Sequence, residues 1–164
     1  MNLFPVLLFA HVLGAIIAFG PAFSFPIIGA MGGKEPMHAN FATRLSERLA
    51  KVQLTPLALL QGITGIGLIY FGNIDLLKST WLLIAIVLYV TALGYAAMVQ
   101  SKAVLKVIEL SGGTPTPGAA PAGPPAGGPP PELLAAIKKV QRGGLLLIGL
   151  IVTIVFLMVT KLSF

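Results

Sequence analysis

Four long blocks of apolar residues, none of which contains a charge, dominate the pattern of the chain. They cover residues 3–30, 54–72, 80–101 and 143–160. A helix of about 20 residues spans a hydrocarbon core of about 30 Å, so each block is long enough to cross a bilayer. Lipid offers no partners to backbone amides, which makes an isolated span helical. The pattern therefore predicts an all-α polytopic membrane protein, a bundle of four transmembrane helices.

The segment 38–53, between the first two blocks, has a different pattern. Apolar side chains recur at helical spacing at Phe41, Leu45 and Leu49, and charged side chains take the other face. Glu47 and Lys51 stand four residues apart, which favours an ion pair on a helix. This pattern predicts an amphipathic helix that lies on the cytoplasmic membrane surface and leads into the second span.

Residues 112–131, between the third and fourth blocks, consist largely of proline, glycine and alanine. Such a segment cannot form a packed core, and it is predicted to be a disordered or partly polyproline cytoplasmic linker. A docking site for a proline-recognition module is the alternative. The biased composition makes proline-spacing motifs weak evidence, which favours the linker.

Charge follows the same division of the chain. The net charge is +6, and nine of the eleven basic residues lie between blocks one and two or between blocks three and four. The positive-inside rule then predicts a multi-pass protein of the bacterial cytoplasmic membrane, with both long basic loops in the cytoplasm and both termini outside. We expect these loops to contact anionic lipids, and we expect no nucleic-acid partner.

Candidate catalytic chemistry is sparse. The chain has no cysteine, which excludes disulfides and thiolate metal sites. It contains no zinc-protease, serine-hydrolase or phosphate-loop motif. The acidic residues all lie outside the four blocks, so no catalytic residue is predicted and enzyme activity is not favoured. They are Glu35, Glu47, Asp75, Glu109 and Glu132.

His11 is the candidate for chemistry inside the first span, where an ionisable side chain is costly. Gly14, Ala15 and Ala18 follow it at helical spacing and would leave room for a flat cofactor such as haem b, with a ring nitrogen on the iron. Tyr95 on the third span could line the same pocket. The alternative is a histidine that hydrogen-bonds across the bundle while the small residues allow close helix packing.

The other polar side chains within the blocks are predicted to form hydrogen bonds between helices. They are Gln61, Thr64, Tyr89, Thr91, Tyr95 and Thr153. Tyr89 and Tyr95 on the third span could instead line a cofactor pocket.

Pro21 and Pro26 interrupt the first block. Proline has no backbone N–H, so carbonyls one turn earlier lose their usual donors and the helix breaks. Broken helices line substrate sites in some transporters, although kinked spans also occur as plain packing features. No Asp, Glu, Lys or Arg lies inside a block, which disfavours ion-coupled transport.

Short motifs along most of the chain connect it to known membrane proteins. They are Leu8-Phe9-Ala10-His11-Val12-Leu13-Gly14, Arg44-Leu45-Ser46-Glu47-Arg48-Leu49, Thr55-Pro56, Thr64-Gly65-Ile66-Gly67, Trp81-Leu82 and Leu157-Met158-Val159-Thr160-Lys161. On these residues the chain resembles an uncharacterised bacterial family of predicted four-helix integral membrane proteins, a domain of unknown function.

The chain is more distantly similar to the J-type protoporphyrinogen oxidase and to the copper-resistance D membrane domain. In the J-type proteins a first-span histidine that matches His11 is associated with haem, which implies haem as a ligand here. Oxidase activity is not implied. Ile84 and Ala85 stand where the J-type proteins have a lysine after the Trp-Leu pair, and Gly94-Tyr95 stands near the place of a third-span histidine.

Together these patterns favour a non-enzymatic accessory or assembly subunit whose partners are other membrane subunits or a second copy of the chain. A b-type haem protein that uses His11 is the second hypothesis. A small-solute transporter that uses the break at Pro21 and Pro26 is the third.

Overall fold

The computed structural model describes residues 3–113 and 129–161, and within them every regular element is helical. Four helices are long and apolar enough to cross a membrane: Phe4–Lys34, Ala39–Phe71, Thr80–Leu110 and Pro131–Thr160. The predicted all-α fold with four membrane-spanning helices is therefore confirmed. At 1.5 Å per residue these helices are about 45–50 Å long, so each extends past a hydrocarbon core of about 30 Å.

Three of these four helices contain an irregular turn near the middle. The first consists of α1 (Phe4–Phe19), a 3₁₀ turn (Gly20–Ser24) and α2 (Phe25–Lys34). The second consists of α3 (Ala39–Leu49), a π-helical turn (Ala50–Leu54) and α4 (Thr55–Phe71). The third consists of α5 (Thr80–Tyr95), a π-helical turn (Ala96–Gln100) and α6 (Ser101–Leu110). The fourth, α7 (Pro131–Thr160), is continuous.

Proline accounts for the first two irregular turns. Pro21 stands at the start of the 3₁₀ turn and Pro26 at the start of α2, and neither donates a backbone hydrogen bond. Pro56 stands in the first turn of α4, directly after the π-helical turn. The missing N–H of Pro56 removes one bond from the regular ladder, and the wider π turn accommodates the change in register.

The irregular turns divide the bundle into two halves that are packed differently. The apolar half comprises α1, α4, α5 and residues 144–160 of α7; the basic half comprises α2, α3, α6 and residues 131–143. In the basic half α3 packs against α2 and α6, and α7 packs against α6 and α2, which closes a ring. In the apolar half α1 packs along α4 and α5 along α7, whereas α1–α7 and α4–α5 are not among the closely packed pairs of the described chain.

Small residues form most of the buried core. Ala18, Ala58 and Ala85 are buried in the apolar half, and Ala103 and Ala136 in the basic half. Small residues let helix backbones approach closely, which is how helices pack when lipid is as apolar as the side chains themselves. Large apolar side chains instead cover the outer surface, as expected for helices that face lipid.

The predicted amphipathic segment 38–53 is helical from residue 39 onward, and it is continuous with the second span. The π-helical turn joins α3 to α4, so the two stretches form one bent helix. The ion pair expected from the spacing is present, with Lys51 Nζ 2.5 Å from Glu47 Oε1. The position of this segment on the membrane surface stays a prediction. The predicted linker 112–131 lies outside the described residues except at its two ends.

Asn40 on α3 anchors the end of α6. Its Nδ2 donates to Ser111 Oγ at 2.9 Å and to the Gly113 carbonyl oxygen at 3.1 Å. Its Oδ1 accepts from Arg44 Nε at 2.7 Å. Gly112 and Gly113 both have a positive φ, 107° and 69°, which glycine adopts at little cost, and the Gly113 N–H donates to the Ile108 carbonyl oxygen to close the end of α6. These hydrogen bonds hold the C-terminal end of α6 against α3.

Candidate functional site

His11 lies on the face of α1 that packs against α4. Its Nδ1 is 2.7 Å from Thr64 Oγ1, and that hydroxyl is 3.0 Å from the Leu60 carbonyl oxygen one turn earlier on α4. With the hydroxyl hydrogen on the carbonyl, Thr64 accepts the Nδ1–H of His11. The imidazole then carries an unprotonated Nε2, and this nitrogen makes no hydrogen bond to the described residues.

Gln61 reinforces the same contact between α1 and α4. Its Nε2 donates to the backbone carbonyl oxygen of His11 at 3.0 Å. A Cβ at Gly14 would collide with that Gln61 nitrogen, and a Cβ at Gly65 would lie 3.5 Å from Cε1 of His11. Gly14 thus leaves the space that the glutamine fills, whereas a Cβ at Gly65 would make an ordinary van der Waals contact with the imidazole. We call these five residues, His11, Gly14, Gln61, Thr64 and Gly65, the α1–α4 latch.

One polar atom of the latch lacks a partner. Gln61 is 5% exposed, and its Oε1 is buried and accepts no hydrogen bond from the described residues. A buried acceptor without a donor costs about 1–3 kcal/mol. The atom therefore marks a position where a water molecule or another donor would be stabilising.

The predicted haem-binding residues Gly14, Ala15 and Ala18 begin within the latch, to which Gly14 belongs. Gln61 of α4 occupies the space next to Gly14, and Ala18 is 0% exposed. Ala15 is half-buried. A flat ligand on His11 would consequently have to meet Nε2 away from Gly14 and Ala18. Nε2 could hold a metal ion or a haem iron, because the opposite ring nitrogen has a hydrogen-bond partner.

Tyr95 lies in the other helix pair, against α7. A Cβ at Gly143 of α7 would be 2.8 Å from the Tyr95 hydroxyl, so this glycine admits the tyrosine ring. His11, by contrast, contacts α4. The structure therefore brings His11 and Gly14 together with α4 and places Tyr95 against a different helix.

Two further side chains join helices in the same way as the latch. Tyr89 of α5 donates from its hydroxyl to the Ala58 carbonyl oxygen of α4 at 2.7 Å, over Gly62. Gln100 donates from Nε2 to the Val140 carbonyl oxygen of α7 at 3.0 Å, beside Gly143. Sequence reasoning did not single out Gln100. The signal that could have found it is the glycine pair Gly143-Gly144 within the fourth apolar stretch.

The prediction that Thr91 and Thr153 form hydrogen bonds between helices is wrong. Thr91 Oγ1 donates to the Val87 carbonyl oxygen at 2.7 Å, and Thr153 Oγ1 donates to the Gly149 carbonyl oxygen at 2.9 Å. Both acceptors lie four residues earlier on the same helix. A threonine in a helix commonly satisfies its hydroxyl in this local way.

Metal-ligating side chains do not cluster in the part of the chain that the structure describes. No group of three or more His, Asp or Glu residues there could hold an ion. His38, the second histidine, lies between α2 and α3, with Nδ1 3.1 Å from Glu35 Oε2. Both of these side chains are exposed and belong to the basic half, so His38 does not face His11.

The break at Pro21 and Pro26 lies where the two halves meet. Ala22, inside the 3₁₀ turn, is buried, and the turn contacts α7. Gln53 Nε2 donates to the Ile17 carbonyl oxygen at 2.8 Å and so satisfies one carbonyl that Pro21 leaves without its usual donor. A transporter that uses this break stays a prediction.

The sequence profile of a family described as a predicted integral membrane protein, DUF2269, matches residues 5–162. The match covers almost the whole of all four apolar helices and the entire latch. No curated protein and no solved structure matches the chain.

Proposed function

The chain belongs to the DUF2269 family of predicted integral membrane proteins, and we propose that it acts as a non-enzymatic accessory or assembly subunit. The use of polar side chains in the apolar half carries this proposal. His11, Gln61 and Tyr89 each form a hydrogen bond that joins one helix to another. Hydrogen bonds of this kind hold membrane helices together, so these polar groups support a role through helix contacts.

An open glycine face on α2 supports a protein partner. Gly29 and Gly33 lie one turn apart and are exposed, and a Cβ at either would meet nothing within 4 Å. Two small residues at this spacing let a second helix approach closely in lipid. The face would accept a helix of another subunit or of a second copy of the chain. The Gly-x-x-x-Gly spacing in the sequence is the signal that would have found it.

The subunit role is tested by the mass of the protein after native extraction in a mild detergent. We expect a complex heavier than the 17.1 kDa chain. Replacing Gly29 and Gly33 by isoleucine should release the single chain, because the added side chains hold the partner helix away. Gly149→Ile is the matched control, because Gly149 is also open but has Leu145 and Thr153 one turn away. A wild-type chain that always migrates alone would overturn the proposal.

The distribution of charge supports insertion into a bacterial cytoplasmic membrane with both long basic loops in the cytoplasm and both termini outside. The lack of cysteine allows single-cysteine labelling. Lys78→Cys, between α4 and α5, should react with an impermeant maleimide in intact cells. Glu109→Cys, near the end of α6, should react only after the cells are permeabilised. The reverse pattern would contradict this orientation.

Binding of b-type haem is a second candidate, favoured by the geometry of His11. Its Nε2 would bind the haem iron, and Thr64 would hold the Nδ1–H in place. Bound haem would supply redox chemistry, and the chain would supply the ligand nitrogen and its orientation. Expression with added haem should then give a Soret band that disappears in His11→Ala and shifts in Thr64→Val. A purified protein without this band would exclude the candidate.

A further inference from the structure

A groove of about 610 Å³ runs between α6 and the start of α7, in the basic half. Ligand sites typically have volumes of about 300–1,000 Å³, so the groove is large enough for a small polar group. Lys102 and Lys106 line one wall, one helical turn apart, and Lys139 and Glu132 line the other. Met98, one turn before Lys102, forms the end that lies toward the apolar half.

Within residues 3–113 and 129–161, the lysines of the groove form no ion pair with a carboxylate. The ion pairs formed by the described residues involve other cations, which are His38, Lys51 and Lys78. Glu132 stands in the first turn of α7, where the helix dipole favours a carboxylate. Three cations and one carboxylate leave the groove with an excess of positive charge, which attracts an anion.

The groove also crosses the boundary of the apolar third span. The uncharged block ends at residue 101, directly before Lys102. Met98 is 65% exposed on the apolar side of that boundary. The groove thus offers an apolar contact followed by cations, which is the order in which a phospholipid presents its acyl chain and its phosphate.

We propose that this groove binds the headgroup of an anionic phospholipid. Lys102, Lys106 and Lys139 donate to the phosphate, and an acyl chain passes along Met98. The site is independent of the proposed subunit role, since it requires neither a partner protein nor His11. It is also more specific than attraction of a basic surface to a charged membrane, because three named lysines line one groove.

The test measures how much phosphatidylglycerol the full-length protein retains in nanodiscs of mixed phosphatidylglycerol and phosphatidylcholine. A Lys102→Gln, Lys106→Gln, Lys139→Gln variant should retain at least about tenfold less, because each lysine near an anionic headgroup contributes severalfold to binding. The matched control changes Lys34, Arg48 and Lys138 to Gln, which removes the same charge from exposed positions outside the groove lining. The control should keep its phosphatidylglycerol.

Equal loss in both triple variants would overturn the site in favour of general attraction, and no loss in either would also overturn it. Displacement of the lipid by millimolar inorganic phosphate would assign the groove to a free anion and overturn the commitment to lipid. Glu132→Gln provides a second measurement if the groove variant does not fold. Removing this carboxylate should increase phosphatidylglycerol retention, and a decrease would contradict the proposal.

Discussion

The two halves of the bundle are built from the same four long helices but are held together by different means. In the basic half the helices close a ring in which Val107 and Ile108 are buried. In the apolar half two helix pairs meet, and Tyr89 provides a hydrogen bond between them. Burial of apolar side chains stabilises helices against water but gives little advantage against lipid. The apolar half therefore depends on small residues and on a few hydrogen bonds.

The largest effect should come from filling the space beside Gly143, where the halves meet. A Cβ there would collide with the Gln100 amide and lie 2.8 Å from the Tyr95 hydroxyl. Gly143→Val should lower the free energy of unfolding by about 2–3 kcal/mol, as overpacking commonly does. Gly149→Val on the same helix, where a Cβ meets nothing within 4 Å, should change it little. Denaturation by SDS in mixed micelles measures both, and equal effects would contradict the packing.

In the basic half Asn40→Ala should come next. The alanine removes the amide that bonds Ser111 and the Gly113 carbonyl, which should cost about 1–2 kcal/mol. Hydrogen exchange should accelerate at residues 107–113 and stay unchanged in α1. Ser46→Ala is the control, because the Ser46 hydroxyl donates within α3. An equal increase in hydrogen exchange at α1 would show that the two halves do not unfold independently.

In the apolar half Tyr89→Phe should have a smaller effect. It removes the hydrogen bond to Ala58, and interhelical bonds of this kind contribute about 0.6–1.7 kcal/mol in membranes. Tyr70→Phe serves as the control, since Tyr70 is 76% exposed. The same denaturation assay compares them. A Tyr89 variant as stable as the Tyr70 variant would show that the helix pairs do not need this bond.

The smallest effect is expected at the ion pair between Lys78 and Asp75, whose atoms are 3.4 Å apart. Lys78 is 85% exposed, and an exposed pair contributes at most about 1 kcal/mol. Lys78→Ala should therefore leave the denaturation midpoint nearly unchanged. A large loss of stability would mean that the loop between α4 and α5 fixes the apolar half.

Sequence predicts the spans because hydropathy is a local property, readable in each apolar block by itself. It does not predict the partner of His11, since Thr64 lies 53 positions away and the pair forms only after α1 meets α4. The prediction that Thr91 bonds to another helix is wrong for a related reason. A threonine hydroxyl in a helix can donate to the carbonyl oxygen four residues earlier. Sequence alone does not show which threonines also lie near an acceptor on another helix.

The irregular turns also differ in whether the local sequence predicts them. The helix break at Gly20–Ser24 is predictable from sequence, because Pro21 and Pro26 lack the backbone N–H that a regular helix needs. The π-helical turn at Ala96–Gln100 contains no proline, and its last residue, Gln100, donates to Val140 of α7. Local chemistry therefore explains the first break, whereas no local sequence signal marks the turn in the third span.

A double-mutant cycle on His11 and Thr64 tests most directly whether the intramembrane polar groups serve to join helices. His11→Ala, Thr64→Val and the double variant are compared with wild type by denaturation in the same detergent. If the latch joins α1 to α4, the two substitutions should couple by about 0.6–1.7 kcal/mol, and the coupling should be unchanged by added haem. Independent effects that simply add would contradict the latch and remove the main support for a subunit built from helix contacts.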